Sequence, residues 1–295
     1  MKVSGWGQSD PGRKRERNED SYLVDPATGV LAVADGMGGH QGGAVASRMA
    51  VELLSAELAQ ARGDFDAALA KQREVSIRTT EEMSAQPEEI THEIGPPGET
   101  PGGETEDMPL GGAAIVFSPA LELMRGVVRR ASKAIFEASW QKAELRGMGT
   151  TLTAILVHGD KAHLVHAGDS RCYLFRDGRL MQLSEDHSWI AEQLRNGALT
   201  PEEARSSKYR HVITKSIGFE RDTDCDLKSV PVAAGDCFLL CSDGMSNHVD
   251  HDELERIVAM TWYRKLPETL IALANDRGGD DNITVVVGLV SNAAS

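Results

Sequence analysis

From Gly149 to Asp186 the chain runs "GTTLTAILVH", "KAHLVHAGD", "RCYLFRDG" and "RLMQLSED", four β-type stretches separated only by Gly/Asp turns. Such close spacing predicts an antiparallel meander, because parallel neighbours need a crossover of a dozen or more residues between them. This block limits the whole architecture. Helical stretches group before and after it and do not alternate with single strands, which disfavours a doubly wound parallel sheet. Two packed antiparallel sheets with helices outside fit better.

The flanking segments are consistent with that reading. "SYLVD" and "VLAVAD" predict two strands around a turn at Pro26–Gly29. "AVASRMAVELLSAELAQA" has apolar residues at helical spacing and is closed by Gly63, and "FDAALAKQREV" predicts a second helix. "ELMRGVVRRASKAIFEASWQKAEL" is strongly helical. "SWIAEQLRNGALTPEEARSS" predicts short helices, the second capped by Thr200 with Pro201 at its first position. "DCFLLCSDG" predicts a buried strand, "DHDELERIVAM" and "LPETLIALANDRG" predict helices, and "NITVVVGLV" a final strand.

Between Val75 and Gly112 the composition changes. Nine acidic residues face one basic residue, Arg78, among many Pro, Gly and Thr. A segment so poor in core residues cannot bury enough apolar surface to offset its ordering entropy, which predicts a flexible insertion at about 75–112 inside a single domain. The 295 residues are enough for one large domain of 1–295 with an ample core. A net charge of −14 argues against a nucleic-acid partner. No apolar run approaches membrane-spanning length, and Met1–Pro11 has no apolar signal region, so the expected setting is cytoplasmic, without a membrane partner. Cys172, Cys225, Cys237 and Cys241 lack zinc spacing and are expected to be buried, reduced thiols.

The chemistry is carried by carboxylates. Asp20 precedes "SYLV", Asp35 ends "VLAVA" before Gly36, Asp243 ends "CFLLCS" before Gly244, and Asp281 precedes Asn282 and the last strand. Any one of these could be a turn residue or an N-cap. Four at strand mouths, beside glycines that let backbone carbonyls approach, make the oxygen-rich environment that hard divalent cations require. The five glycines of "VADGMGGHQGG" would otherwise suggest a direct phosphate cradle, which Asp35 opposes. Bound cations would reverse the local sign and draw phosphate in. "GRKRERNED" adds arginines, whose planar fork can take two phosphate oxygens at once.

Taken together, "RERNED", "ADGMGGHQGG", "GTTLTAILV", "VHAGDSRCYLFRDGRL", "LLCSDG" and "GGDDNIT" resemble the metal-dependent serine/threonine protein phosphatases of type 2C (the PPM family) in their bacterial form. The likeness spans about residues 4–290 in the family's motif order. It implies an α+β, four-layer αββα sandwich of two antiparallel sheets flanked by helices. It also implies hydrolysis of phosphoserine and phosphothreonine in proteins by a binuclear Mn2+ or Mg2+ centre with a metal-bridging water. By this resemblance Asp35 bridges the two ions and Gly36 adds its carbonyl. Asp243 and Asp281 are ligands of one ion, Asp20 acts through coordinated water, and Asp169 holds a third ion. Arg15 binds phosphate, Glu19 is a weaker ligand candidate, and Ser170 and Asn282 support the ligands from behind.

The sequence departs from the family's animal members at Met37, where those enzymes carry a histidine proposed as general acid. His40 stands three residues on, and acid, water-holder and solvated or loop-bracing bystander remain open for it. The segment at about 185–218 corresponds to the family's flap, and its Arg195, Arg205, Lys208, Arg210 and Lys215 are either selectors of acidic phosphopeptides or solvated surface. The resemblance implies action on the phosphoproteins of a cognate Ser/Thr kinase, and a monomer is expected. The alternative is a catalytically inactive phosphoprotein-binding protein on the same fold, marked by loss of a ligand carboxylate. A nucleotide-binding Gly loop is disfavoured, since the stretch lacks both the P-loop lysine and the GxGxxG register.

Overall fold

The computed structural model describes residues 1–38, 41–61, 118–209 and 211–292. The expected insertion, the second early helix and His40 lie outside them. Twelve strands and seven helices are assigned within the described residues. One sheet has the order β1 (Lys2–Asp10), β12 (Ile283–Ser291), β11 (Cys237–Cys241), β8 (Arg171–Arg176), β9 (Arg179–Gln182). The other has the order β10 (Asp226–Pro231), β7 (Lys161–Ala167), β6 (Leu152–His158), β3 (Val30–Ala34), β2 (Ser21–Asp25). Every pairing in both sheets is antiparallel. A two-residue ribbon joins β4 (Gly36–Met37) to β5 (Gly149–Thr150).

Side-chain alternation builds the layers. In β11, Phe238 and Leu240 face the other sheet, packing with Leu31, Val33, Ile155 and Val286. Cys237, Leu239 and Cys241 face outward, onto helices α6 (His251–Met260) and α7 (Leu266–Asp276). The second sheet likewise turns Val30, Ala32, Ala154 and Val165 toward α1 (42–61) and α2 (Pro119–Gln141). The result is the αββα sandwich expected from the sequence. The four cysteines are free and buried, and burial pushes the Cys225, Cys237 and Cys241 thiols up to about 12.

Two features differ from the sequence reading. The four strands after Gly149 are not one meander, because β6–β7 belongs to one sheet and β8–β9 to the other. The chain changes sheets across Gly168–Ser170, which puts Asp169 on the crossing. The second feature is β1, a nine-residue strand in a segment whose glycines hide a β pattern. A Cβ on Gly5 would run into Val24 and Leu31, and one on Gly7 into Tyr22, so the glycines make room for the facing sheet. The expected short helices are present as α3 (Trp189–Arg195) and α4 (Pro201–Ser206), with the Thr200 side chain and Glu203 forming a reciprocal capping box. Among the described residues no helix is long and apolar enough to cross a membrane.

Candidate metal centre

A cleft of about 700 Å3 opens at one end of the sandwich, where β3, β4, the β7–β8 crossing, β11 and the start of β12 come together. Its wall includes Arg15, Glu19, Asp35, Gly36, Asp169, Asp243, Asp281 and Asn282. The fold therefore gathers residues from widely separated parts of the chain. Asp20 lies buried directly behind them.

Asp35 is fixed through its backbone. Its N–H donates to Thr151 Oγ1 at 2.9 Å, while its carbonyl accepts from the Thr151 N–H at 2.9 Å and the Thr150 hydroxyl at 2.8 Å. Thr151 Oγ1 in turn lies 2.8 Å from Ser170 Oγ, which ties Asp35 to the crossing that carries Asp169. Gly36 has no room for a side chain, since a Cβ would collide with the carbonyl oxygens of Gly43 and Glu19.

Asp20 is held on one oxygen only. Its Oδ2 accepts from Ser242 Oγ at 2.8 Å and Thr284 Oγ1 at 2.6 Å. Oδ1 is buried with no hydrogen-bond partner, as are Asp169 Oδ1 and Asp243 Oδ1. Asp243 begins α5 (Asp243–Ser246), and its Oδ2 accepts from Asn247 Nδ2 at 3.2 Å. Asp281 differs, because Oδ1 accepts its neighbour Asn282 N–H at 2.9 Å and Oδ2 pairs with Arg15 at 2.7 Å. Asn282 braces the N-terminal loop: its side chain donates to the carbonyls of Pro11 and Arg17 and accepts from the Glu19 N–H.

The electrostatics follow from this crowding. Burial, opposed by its two hydroxyl bonds, pushes the Asp20 carboxyl up to about 7. Burial together with the Asp243 and Asp186 charges pushes Asp169 up to about 7. Asp35 is raised well above the ordinary carboxylate range by burial and then by the surrounding aspartates. Asp243 is raised by burial and by Asp281, and Glu19 by burial against the pull of Arg15. Like charges so placed in low dielectric are costly unless a cation or protons neutralise them.

Two orphaned, buried carboxylate oxygens on residues of the cleft wall, Asp169 and Asp243, and a third on Asp20 fit a hard divalent cation. Among the described residues no three Asp, Glu, His or Cys side chains close around a point by themselves. That is compatible with Mg2+ or Mn2+, which take one or two carboxylates and complete their shells with water.

Several contributors were not singled out from the sequence. Thr150, Thr151, Ser242 and Thr284 sit inside motifs that otherwise look like ordinary strand ends. His211 of the flap also lines the cleft. His187 holds the crossing from the flap side, accepting the Gly168 N–H on Nδ1 at 3.1 Å and lying 3.1 Å from Asp226 through Nε2. Of the flap's basic residues, Lys215 is paired with Asp226 at 2.9 Å, Lys208 lies over the Tyr209 ring, and Arg195 reaches the Asp186 carbonyl at 3.3 Å. Arg210 lies outside the described residues, as does the side chain of Arg205.

The family model described as protein phosphatase 2C matches residues 12–275. The serine/threonine phosphatase stp of Listeria monocytogenes is 31% identical over 284 residues, covering 95% of this chain and 93% of that protein. The serine/threonine protein phosphatase PstP of Mycobacterium tuberculosis is 34% identical over 281 residues, covering 95% of this chain and 43% of that longer protein. The crystal structure of PstP/Ppp from Mycobacterium tuberculosis superposes with a TM-score of 0.74 at 31% identity, covering 99% of this chain and 100% of that one. A PstP catalytic domain in complex with two manganese ions gives a TM-score of 0.73 at 30% identity, covering 99% of each chain.

Proposed function

Because the chain belongs to the protein phosphatase 2C family and is a serine/threonine phosphatase acting on phosphoproteins, we propose that it uses a binuclear Mn2+ or Mg2+ centre built on Asp20, Asp35, Gly36, Asp243 and Asp281. The observation that carries this reading is the set of buried, unpartnered oxygens on Asp169 and Asp243 of the cleft wall and on Asp20, whose charge acts on Asp35. The PstP catalytic domain with two manganese ions supports it by likeness. When bound, such an ion pair supplies Lewis acidity toward the phosphoryl oxygens and a water acidic enough to attack phosphorus without a separate base.

The chain's residues divide the remaining work. Asp35 offers its carboxylate from a backbone locked by Thr150 and Thr151, which fixes the point from which the side chain enters the cleft. Asp20 is held by Ser242 and Thr284, which engage Oδ2 and leave the buried Oδ1 without a hydrogen-bond partner. Asp169 offers a further carboxylate for a third ion. Arg15 carries the direct phosphate contact, exchanging its Asp281 partner for two phosphoryl oxygens as substrate enters. Asn282 fixes the loop that presents Arg15 and Glu19. Ser170 links the Asp35 clamp to Asp169. His40 acts as general acid or water-holder or stands by as a solvated or loop-bracing residue. The substrates are phosphoproteins of a cognate Ser/Thr kinase, and the protein acts as a cytoplasmic monomer.

The retention of Asp20, Asp35, Asp243 and Asp281 disfavours an inactive phosphoprotein-binding role. The deciding experiment is turnover of p-nitrophenyl phosphate and a phosphothreonine peptide with added Mn2+, with EDTA as control. Turnover that requires Mn2+ is expected, and its absence on both substrates would remove the enzymatic reading.

A further inference from the structure

A second groove of about 410 Å3 opens into the metal cleft, and the two share Met37, His211 and Ile213. Its distal wall is Phe219, whose side chain is 48% exposed. An exposed aromatic is ordinary on a protein surface, but this one is built in place. Its ring lies against Gly149, where any Cβ would strike it. Gly149 pairs with Met37, and its neighbour Thr150 pairs with Gly36, so the ring stands one strand away from the cleft floor. The backbone on both sides of Phe219 is pinned by buried Ser132, whose Oγ accepts the Gly218 N–H at 3.0 Å and donates to the Glu220 carbonyl at 2.8 Å. Gly218 has φ +96°, which keeps the turn in a conformation few other residues adopt.

The polar groups around this groove are largely engaged. Thr214 Oγ1 donates to Glu192 at 2.6 Å, Lys215 holds Asp226 at 2.9 Å, and Thr223 Oγ1 donates to the Ser216 carbonyl at 3.3 Å. Met37, Ile213 and Phe219 are the apolar surfaces the groove offers, beside His211 and Ser216. Glu220 stands exposed at the rim and repels acidic side chains.

We propose that this groove is a specificity pocket for an apolar side chain of the phosphoprotein, one to three residues from the phosphorylated one. The proposal rests on the phosphatase reading above. The occupant follows from continuity with the cleft, because a polypeptide whose phosphate lies in the metal centre must leave across the neighbouring surface. An extended chain advances about 3.3 Å per residue, so a residue within three of the phosphate reaches a ring placed one strand over. The groove thus selects by apolar contact, and Lys215 in its wall is already held by Asp226.

The test uses the full chain with Mn2+ and phosphothreonine peptides carrying Leu, Ser, Lys or Asp at each position within three of the phosphorylated residue. At one such position Leu is expected to raise kcat/KM about tenfold over Asp. Phe219→Ala is expected to cut that preference to about twofold or less, and Phe219→Leu to retain most of it, with p-nitrophenyl phosphate turnover within about twofold of wild type in both. A flat profile, a preference for Asp, or a Leu preference that survives Phe219→Ala overturns the pocket while the phosphatase reading stands. Absence of p-nitrophenyl phosphate turnover in the wild type overturns both.

Discussion

Asp20→Asn should stabilise the metal-free protein, and by an amount that depends on pH. The Asp20 carboxyl is fully enclosed and pushed up to about 7, chiefly by burial, whereas an unfolded aspartate titrates near 3.9. At about pH 8 both states are ionised, and holding that charge in the fold costs on the order of 4 kcal/mol. The sign is that of a raised carboxylate: between about pH 4 and pH 7 the folded state holds more protons, so stability falls as pH rises through that window. Asparagine removes the charge and still offers one oxygen to Ser242 and Thr284. Its amide takes the place of the unpartnered Oδ1, and a buried amide without an acceptor gives back about 1–3 kcal/mol.

The net gain expected near pH 8 is therefore about 2 kcal/mol, or roughly 5 °C in Tm for a chain of this size. The difference between variant and wild type should shrink by about 2.5 kcal/mol between pH 8 and pH 5, independently of the amide's own cost. Denaturant titrations of both proteins in EDTA at the two pH values measure it. Added Mn2+ should then reverse the order, stabilising wild type by binding the native state and leaving the variant nearly unchanged. A variant less stable than wild type by the same amount at both pH values would refute the reasoning. It would make Asp20 a structural acceptor for two hydroxyls and not a charge held in readiness for a cation.

Asp243→Asn should abolish Mn2+-dependent turnover with an unchanged circular dichroism spectrum, and near-wild-type rates would remove Asp243 from the metal shell. Thr151→Val leaves the Asp35 N–H without its acceptor and should cost about 1–3 kcal/mol in denaturant titration, with kcat reduced at least about tenfold as Asp35 loses its fixed position. Unchanged stability and rate would show that the clamp has no energetic role. His166 is enclosed and pushed down to about 4, mainly by burial, while an unfolded histidine takes a proton near 6.5. Its contribution is full above that value and lost as pH falls toward 4, on the order of 3 kcal/mol in all. Asp20 and Asp169 tilt the metal-free protein the other way, so the effect is read as the stability difference between wild type and His166→Gln, and a pH-independent difference counts against it.

The carboxylates were legible in the sequence because each stands where an apolar run meets a glycine, an asparagine or a basic loop. That context separates Asp35, Asp243 and Asp281 from the many solvated acids of an acidic chain. Their supports were hidden for the opposite reason. Thr150, Thr151 and Thr284 are good strand formers in or beside strands, and nothing local distinguishes a threonine that clamps an aspartate from one that fits a pleat. His187 was hidden because its partner Gly168 is nineteen residues away. The strands after Gly149 could be counted from their turns, but the switch of sheets at Asp169 could not, since both hairpins bury inward-facing apolar residues. β10 escaped notice because an edge strand with exposed polar residues carries little β signal. β1 escaped because its glycines are dictated by Val24, Leu31 and Tyr22 across the sandwich, a contact that only the folded molecule reveals.

The pairing of β1 with β12 places the order of synthesis in a new light. β1 lies at an edge with β12 as its one neighbour in the sheet, and β12 is made long after it. Asp281 and Asn282 arrive with it. As the chain leaves the ribosome, Asp20 and Asp35 are exposed long before Thr284, Asp281 and the strand that seats them. The closure of so long a loop is slow and must come late. A growing chain on this fold therefore carries Asp20 and Asp35 without Asp281, Asn282 and Thr284 beside them until the strand that bears those residues has been made and has paired with β1.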